Sequence, residues 1–458
     1  MKFVHEPYQP GDTIAAIATP PGEGGVAIVR ISGKDALICA AKIFSGPIQS
    51  YKTHTAHYGH IRNKSGETID SVLVLVMLGT RSFTGEDTVE IHCHGGSLIA
   101  RRVLDVVLEA GARAAQAGEF SFKAFINGKI DLAQAEAIQS VIAAKNEKAL
   151  DAATNQLQGK LSMLVQQYQS ELTHIAAILE AWVDFPEEDI EFASMEEVSA
   201  ELKRVYTSME ELVATFHDGK IARDGISLCL VGSPNVGKSS LMNALLDKER
   251  AIVSPIPGTT RDIVEDSLRI NGLNFTVTDT AGIREADDSI EQEGIRRSRK
   301  AMASADLVLL ILDANKGISP EEEVLLSEIP KDQTIVVWNK VDLPHGSLQA
   351  LDAPHAVMIS AKEKTGLKDL HNAIDSVIWR HGPPSREEVL IANVRHKEAL
   401  QSSALGLKRV EAGLSAGVSP EFLAFDMRQS LLGLGKILGT DVGEDILSSI
   451  FSQFCIGK

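Results

Sequence analysis

The chain has 458 residues, 44% of them hydrophobic, which is enough for about two to four domains with sizeable cores. Its formal net charge of −17, from 62 acidic against 45 basic residues, argues against a general binder of nucleic-acid backbones. Any RNA role then needs a local basic patch, an enzymatic pocket or a partner that carries the RNA. The four cysteines, Cys39, Cys93, Cys229 and Cys455, are widely spaced with no CxxC pair, so neither a zinc site nor a disulfide framework is expected, and three of them read as small buried hydrophobes. Residues 1–12 lack a basic stretch followed by an apolar one, and no apolar run approaches the roughly 20 residues of a membrane span. A soluble cytoplasmic protein with no membrane or DNA partner is expected.

Residues 1–125 read as a mixed α/β domain. Thr13 to Ala18 and Val26 to Ser32 are short apolar runs around a glycine- and proline-rich turn, Val72 to Leu78 reads as a buried strand, and Leu98 to Ala110 as an amphipathic helix. In the strand-like Val89 to His94, alternation puts His92 and His94 on one face. A metal site there is weakly supported, since two neighbouring ligands are fewer than the about three or four that Zn²⁺ takes.

From 126 to 217 the period becomes helical. Leu157, Leu161, Leu164, Tyr168, Leu172, Ile175, Leu179 and Trp182 step by three and four, the spacing of an apolar stripe along one long helix. Ser194 with Glu197 forms a capping-box pattern that opens a second helix, whose stripe runs Val198, Leu202, Val205, Met209, Leu212, Phe216. These stripes are expected to be the core of a helical bundle.

Residues 218–382 alternate strand and helix patterns, which implies a parallel sheet with its functional loops at the carboxyl ends of the strands. The run Ile226 to Val231 leads into Gly232-Ser233-Pro234-Asn235-Val236-Gly237-Lys238-Ser239 and then a helix-like run from Ser240 to Leu246. That is the form GxxxxGK[ST] in strand–loop–helix context: backbone N–H groups of the loop cradle phosphates, Lys238 reaches the β/γ-phosphates and the Ser239 hydroxyl suits Mg²⁺. Asp279-Thr280-Ala281-Gly282 follows a second apolar run, where the acid can hold the metal and the glycine N–H can meet the γ-phosphate. Asn339-Lys340-Val341-Asp342 closes the run Ile335 to Trp338, and Ser360-Ala361-Lys362 closes Val357 to Ile359. An aspartate at position 342 accepts both N–H donors of guanine, so the nucleotide should be GTP. Nucleotide contacts are expected from Asn235, Val236, Gly237, Lys238, Ser239 and Ser240, from Ser254, Thr259 and Thr260, from Asp279 to Gly282, and from Asn339, Lys340, Asp342, Ser360, Ala361 and Lys362.

Ras-like GTPases orient the attacking water with a glutamine after the DxxG glycine, and this chain has Ile283 there. The Asn235 amide oxygen with carbonyls of the run Ser254 to Thr260 could hold a monovalent cation against the phosphates, with Thr260 as second Mg²⁺ ligand. Glu291 could orient water; it could equally be a charge on a solvated helix face. Residues 383–458 return to helical periodicity, with Ser419-Pro420 as a helix start and Leu423, Met427, Leu431, Leu434 and Leu438 as its stripe. The simplest architecture is a helical domain, 126–217 with 383–458, into which a P-loop GTPase domain is inserted.

The stretches GSPNVGKS, GTTRD (Gly258 to Asp262), DTAGIRE (Asp279 to Glu285), NKVD and the ending Phe454-Cys455-Ile456-Gly457-Lys458 resemble the MnmE (TrmE) family of tRNA-modification GTPases. TPPGEGGVAIVRISG, FTGEDTVEIHCHGG and FSFKAFINGKIDLAQAEAI extend the resemblance over essentially the whole chain. It implies a homodimer held by N-terminal domains of a tetrahydrofolate-binding fold. It also implies a partnership with the FAD-dependent MnmG, in a heterotetramer-type complex that adds an aminomethyl-type group to carbon 5 of the tRNA wobble uridine. The one-carbon donor would be 5-formyl- or methylene-tetrahydrofolate, and potassium-dependent pairing of GTPase domains would drive hydrolysis. Matched by motif, folate contacts fall on Arg30, Glu90, Lys129 and Lys458, potassium on Asn235, Ser254, Ile256 and Thr259, magnesium on Ser239 and Thr260, and catalytic roles on Glu291 and Cys455. Ser254 stands where the family often has threonine and Ser233 where arginine is frequent. A GTP-controlled ribosome-assembly factor is the alternative; it would need neither the N-terminal domain nor the FCIGK ending, and an rRNA binder would find the acidic charge costly.

Overall fold

The computed structural model describes residues 11–184, 194–246, 266–279, 302, 305–344, 354–379 and 382–457. Two compact units divide the chain: Met1–Ile142, Gln156–Tyr206 and Ser402–Lys458 form one, Ala143–Asn155 and Thr207–Gln401 the other.

The first unit opens with β1 (Ile14–Ile17), β2 (Val26–Ser32), α1 (Ala36–Ile43), β3 (Thr55–Arg62), β4 (Thr68–Met77), β5 (Thr88–His94), α2 (Ser97–Glu109) and β6 (Arg113–Ala114). The strands form one sheet in the order β3-β4-β5-β2-β1-β6, antiparallel except where β1 meets β6. Val29, Ile31, Val74, Val76, Ile91 and Cys93 bury one face against α1 and α2. The other face is covered at β1, where Ile14 and Ala16 pack with Phe120, and open elsewhere, with Val26, Leu73 and Tyr58 at 57, 50 and 68% exposure. This corrects the expectation that Val72 to Leu78 is a fully buried strand. An antiparallel strand covered on one side alternates, and β4 does so from Val72 to Met77.

Helices follow: α3 (Glu119–Ile126), α4 (Leu132–Ala143), α5 (Glu147–Leu157), α6 (Lys160–Asp184), α7 (Met195–Ala214) and α8 (Phe216–Asp224). The stripe expected on one long helix is cut between α5 and α6, where Gly159 has φ +82, so Leu157 belongs to a different helix from the rest. Along α6 the chain buries Leu161, Val165, Tyr168, Leu172, Ile175 and Leu179. The capping box at α7 forms as the sequence suggests: the Ser194 N–H donates to the Glu197 carboxylate at 2.9 Å and the Glu197 N–H to the Ser194 hydroxyl at 3.2 Å. Hydrogen bonds from the Ser194 backbone and side chain hold the Glu197 carboxyl below its usual range. Val198, Leu202, Val205, Met209 and Leu212 are buried, whereas Phe216 lies beyond the end of α7 and starts α8.

The second sheet comprises β7 (Ile226–Val231), β8 (Asp266–Ile270), β9 (Leu273–Asp279), β10 (Leu307–Asp313), β11 (Thr334–Asn339) and β12 (Ala356–Met358), in the order β12-β11-β10-β7-β9-β8. All pairings are parallel except the edge pair β8–β9. Every residue of β10 and β11 is buried, as expected of strands covered on both faces. Apolar clusters on either side of this sheet include Leu241, Leu370 and Ile374 on one face and Ile329 and Trp338 on the other. Among the described residues its helices include α9 (Lys238–Leu246), α10 (Pro320–Glu328) and α11 (Leu367–Ile378).

The chain ends in α12 (Val394–Ser415), α13 (Pro420–Leu438) and α14 (Glu444–Phe451). Ser419 caps α13 by position, with Pro420 as its first residue, and Leu423, Met427, Leu434 and Leu438 are buried. The fold is therefore α/β and α: a mixed N-terminal sheet domain, helices, and a mainly parallel sheet carrying a phosphate loop. Among the described residues no helix is long and apolar enough to cross a membrane.

Candidate functional site

In the second unit the order of strands reverses beside β7, and the loops after β7, β10 and β11 leave at the same edge of the sheet, the place where parallel α/β sheets take their ligands. The loop between β7 and α9 is shaped by Gly232 (φ +146), Asn235 (φ +62) and Gly237 (φ +102). A side chain at Gly237 would overlap the Asn339 amide, so this glycine lets the phosphate loop lie directly on the end of β11. Two hydrogen bonds use that closeness. The Asn339 amide donates to the Val236 carbonyl at 2.8 Å, and its oxygen accepts the Ala361 N–H at 3.0 Å. One carboxamide, 2% exposed, thus joins the loop, the NKVD segment and the Ser360–Lys362 turn.

Lys238 begins α9 and donates to the carbonyls of Gly232 and Ser233 at 2.7 and 3.0 Å. Ser239 and Ser240 are exposed at the same helix start, and Asn235 is exposed on the loop. Lys340 donates to the Asn235 carbonyl at 2.7 Å. A hydrogen bond from Ser360 holds the Asp342 carboxyl below its usual range, so Asp342 presents a charged acceptor beside the turn. The Ser360 hydroxyl also accepts the Glu363 N–H at 3.0 Å, and Lys362 is exposed near Glu363. Asn235 and Ser239 offer oxygens, and the loop amides offer donors; hard cations take oxygen ligands, so this donor set suits Mg²⁺ or K⁺ and not a soft metal. Asp279 ends β9, while Ser254, Ile256, Thr259, Thr260, Thr280, Ala281, Gly282, Ile283 and Glu291 lie outside the described residues.

A second cluster lies in the first unit, on the open face of its sheet. Arg30 on β2 stands opposite Glu90 on β5, and its Nε donates to Glu90 Oε1 at 2.8 Å. The guanidinium sits 5.5 Å from the centre of the Phe120 ring and donates to the Gly457 carbonyl at 3.3 Å. His92 lies 3.4 Å from Glu90 and His94 is 2.7 Å from Asp70, so both imidazoles share the open face as alternation predicts, each beside a carboxylate. Lys129 is held elsewhere in the same unit: its ammonium donates to the Thr80 carbonyl at 2.8 Å and its stem lies along Gly85. The Cys455 thiol is exposed while Cys39, Cys93 and Cys229 are buried. Lys458 lies outside the described residues.

The tail reaches this cluster because Phe451 and Phe454 bury themselves with Leu132, Ala135, Phe122 and Phe125. Ala117 and Ile456 form an antiparallel bridge, and the Gly118 N–H donates to the Cys455 carbonyl at 3.4 Å. The contacts of the tail are with α3, α4 and the segment before α3. Phe120 and Asp313 escaped notice in the sequence. Phe120 looks like any core aromatic, but Asp313 had a signal, an acid closing an otherwise apolar strand as Asn339 does.

A family model described as the MnmE helical domain matches residues 132–455, and one described as the GTP-binding protein TrmE N-terminus matches residues 13–129. A protein of Protochlamydia amoebophila named tRNA modification GTPase MnmE is 68% identical over 458 residues, 100% of each chain. The chain belongs to the MnmE family. Proteins of the same name from Geotalea uraniireducens and Geobacter sulfurreducens are 43 and 42% identical, each over 98% of this chain and 99% of the relative. Among solved structures, the FeoB G-domain from Methanococcus jannaschii is 27% identical over 33% of this chain and 97% of its own, with a TM-score of 0.24.

Proposed function

We propose that this MnmE-family chain is a GTP hydrolase acting in a tRNA-modifying complex, assembled as a homodimer in the cytoplasm. The observation that carries the nucleotide assignment is the Asn339 carboxamide, which joins the phosphate loop to the turn beside Asp342. That arrangement supports a single pocket in which the loop amides and Lys238 meet phosphates while Asp342 accepts the guanine N–H groups. Ser239 and Thr260 would hold Mg²⁺, and Asn235, Ser254, Ile256 and Thr259 a potassium ion; both ions supply positive charge where the transferring phosphoryl group gains negative charge. Glu291 orients the attacking water. The boundaries that go with this reading are 1–125 for a folate-binding and dimerising domain, 126–217 with 383–458 for the helical domain, and 218–382 for the GTPase.

The Arg30–Glu90 pair supports the folate part of the reading. Its charged groups lie on an open sheet face beside the FCIGK tail, where a carboxylate can accept the ring N–H groups of a pterin and a guanidinium can meet anionic or carbonyl oxygens. The reading also assigns to the folate Lys129, whose ammonium donates to the Thr80 carbonyl, and Lys458. MnmG brings the FAD and the tRNA carries the acceptor uridine, so the acidic charge of this chain is no obstacle. Mass spectrometry of wobble nucleosides from cells lacking the chain tests the whole reading. Loss of the carbon-5 modification is expected; normal nucleosides with a ribosome-assembly defect would overturn it.

A further inference from the structure

Asp313 closes β10, a strand otherwise built of leucine, isoleucine and valine, and is 4% exposed. A buried carboxylate is unfavourable unless it is paired and hydrogen-bonded. Its Oδ1 accepts the Asn315 N–H at 3.0 Å, and Oδ2 lies 2.8 Å from Lys340 Nζ. The same ammonium donates to the Asn235 carbonyl at 2.7 Å. One lysine is thus shared between the end of β10 and the middle of the phosphate loop. Both residues linked by this bond, Lys340 and Asn235, have left-handed backbones, φ +67 and +62. That region disfavours side chains, tolerating asparagine better than lysine, so both positions need their surroundings to hold them.

We propose that Asp313 is a positioning residue of the nucleotide site: its carboxylate holds the Lys340 ammonium against the Asn235 carbonyl and so fixes the phosphate loop relative to the guanine-reading end of β11. The inference rests on the guanine-nucleotide reading above. A lysine stem is flexible and its ammonium would otherwise turn toward water, leaving the Asn235 carbonyl without its donor. With Asp313 in place the ammonium has a fixed anchor on one side, and the loop is preorganised before any nucleotide arrives. Both GDP and GTP use the loop, so the effect falls on nucleotide retention in general.

The test is the dissociation rate of GDP carrying a fluorescent ribose label, measured on the full chain, with thermal unfolding alongside. Asp313→Asn keeps the shape and removes the charge; loss of one charge-assisted hydrogen bond is expected to speed dissociation about tenfold with the melting temperature unchanged. Lys340→Met keeps the aliphatic stem, removes the ammonium and is expected to speed it at least as much. In the Lys340→Met background, Asp313→Asn should then add little, because both changes break one chain of contacts. Wild-type dissociation in either single variant overturns the proposal. Additive effects overturn it as well, since they would mean that Asp313 serves only the turn at Asn315. Should Asp313→Asn fail to fold, Asp313→Ser is measured in its place, alone and in the Lys340→Met background, with the same outcomes deciding. A wild-type chain that retains no labelled GDP sinks the guanine reading itself, a result distinct from a normal wild type with indifferent variants.

Discussion

Arg30 and Glu90 face each other across the β2–β5 ladder, and two guanidinium nitrogens of Arg30 lie 2.8 Å from the same Glu90 oxygen while the third reaches the Gly457 carbonyl at 3.3 Å. One planar group therefore ties a carboxylate to the C-terminal tail. Lysine, with a point charge and no fork, cannot make both connections. Arg30→Lys should lower affinity for 5-formyl-tetrahydrofolate about tenfold and make the tail more sensitive to limited proteolysis. GTP hydrolysis should be unchanged, because Arg30 and the nucleotide residues belong to different compact units. Calorimetric titration with the folate checks the first part, and unaltered affinity would remove Arg30 from the binding set.

Asp342→Asn should turn preference from GTP toward xanthosine triphosphate, since the amide offers a donor where guanine needs an acceptor. The pH dependence has a definite sign. Because the Ser360 hydrogen bond depresses the Asp342 carboxyl below 3.8, the charged acceptor persists above that value and is lost only as pH falls through the lowered one. Guanine affinity should therefore be flat from neutral pH down to the ordinary carboxylate range, and Ser360→Ala should move the acid limb upward. Direct binding measurements with both nucleotides across pH settle both points.

Lys123 is fully buried, yet its ammonium donates to the Asp12 carbonyl and lies 2.7 Å from the Glu86 carboxylate. The pair ties α3 to the loop before β5. Removing one member leaves a charge with little water to solvate it, so Lys123→Ala should cost about 3–5 kcal/mol in urea denaturation. Lys123→Met combined with Glu86→Leu should lose much less, since the apolar pair leaves no orphaned charge. Equal losses in the two variants would show that packing, not the charge pair, dominates.

How far the sequence reaches depends on whether a contact is local. The GxxxxGK[ST] loop, the Ser194 capping box and the strand ends at Asn339 and Ser360 were legible because each is a short pattern whose geometry is fixed by neighbouring residues. The stripe through Leu157 was misread because helical spacing continues across Gly159, whose positive φ ends one helix and starts the next without breaking the period. Phe216 fell to the wrong helix because the helical spacing also runs on across Thr215, which separates α7 from α8 with a right-handed backbone. Leu73 was placed in a buried strand because an apolar run looks alike whether one face is covered or two. Lys123 was invisible, since a buried charge is recognised only by a partner far along the chain, here Glu86; Asp313 was marked only as an acid closing an apolar strand, with nothing local to point to Lys340.

Cys39 and Cys93 are buried, and burial raises both thiols above the ordinary value of 9.0. A thiol held protonated in the folded state contributes stability that is fully present below 9.0 and declines as pH rises beyond it. The urea midpoint should thus be level near neutrality and fall in alkali, and Cys39→Ala with Cys93→Ala should flatten that fall. An equally steep decline in the double variant would assign it to other groups.

Cys455 differs from the other three cysteines in being exposed, although the residues on either side of it are held in place. Phe451 and Phe454 bury themselves against α3 and α4, and Ile456 bridges Ala117, so the thiol is displayed on an anchored segment and not on a frayed end. Gly457 then meets Arg30, which brings the same segment to the Arg30–Glu90 pair. A thiol so placed is accessible to a one-carbon intermediate or a pyrimidine, and serine is nearly isosteric but a far weaker nucleophile. Under native conditions a thiol reagent should label one cysteine quickly, Cys455, and the others only after unfolding. Cys455→Ser should keep dimerisation and GTP hydrolysis while abolishing the modified wobble uridine, read by nucleoside mass spectrometry. Normal modification in the variant would leave Cys455 with packing alone, and a parallel loss of GTP hydrolysis would trace the defect to folding.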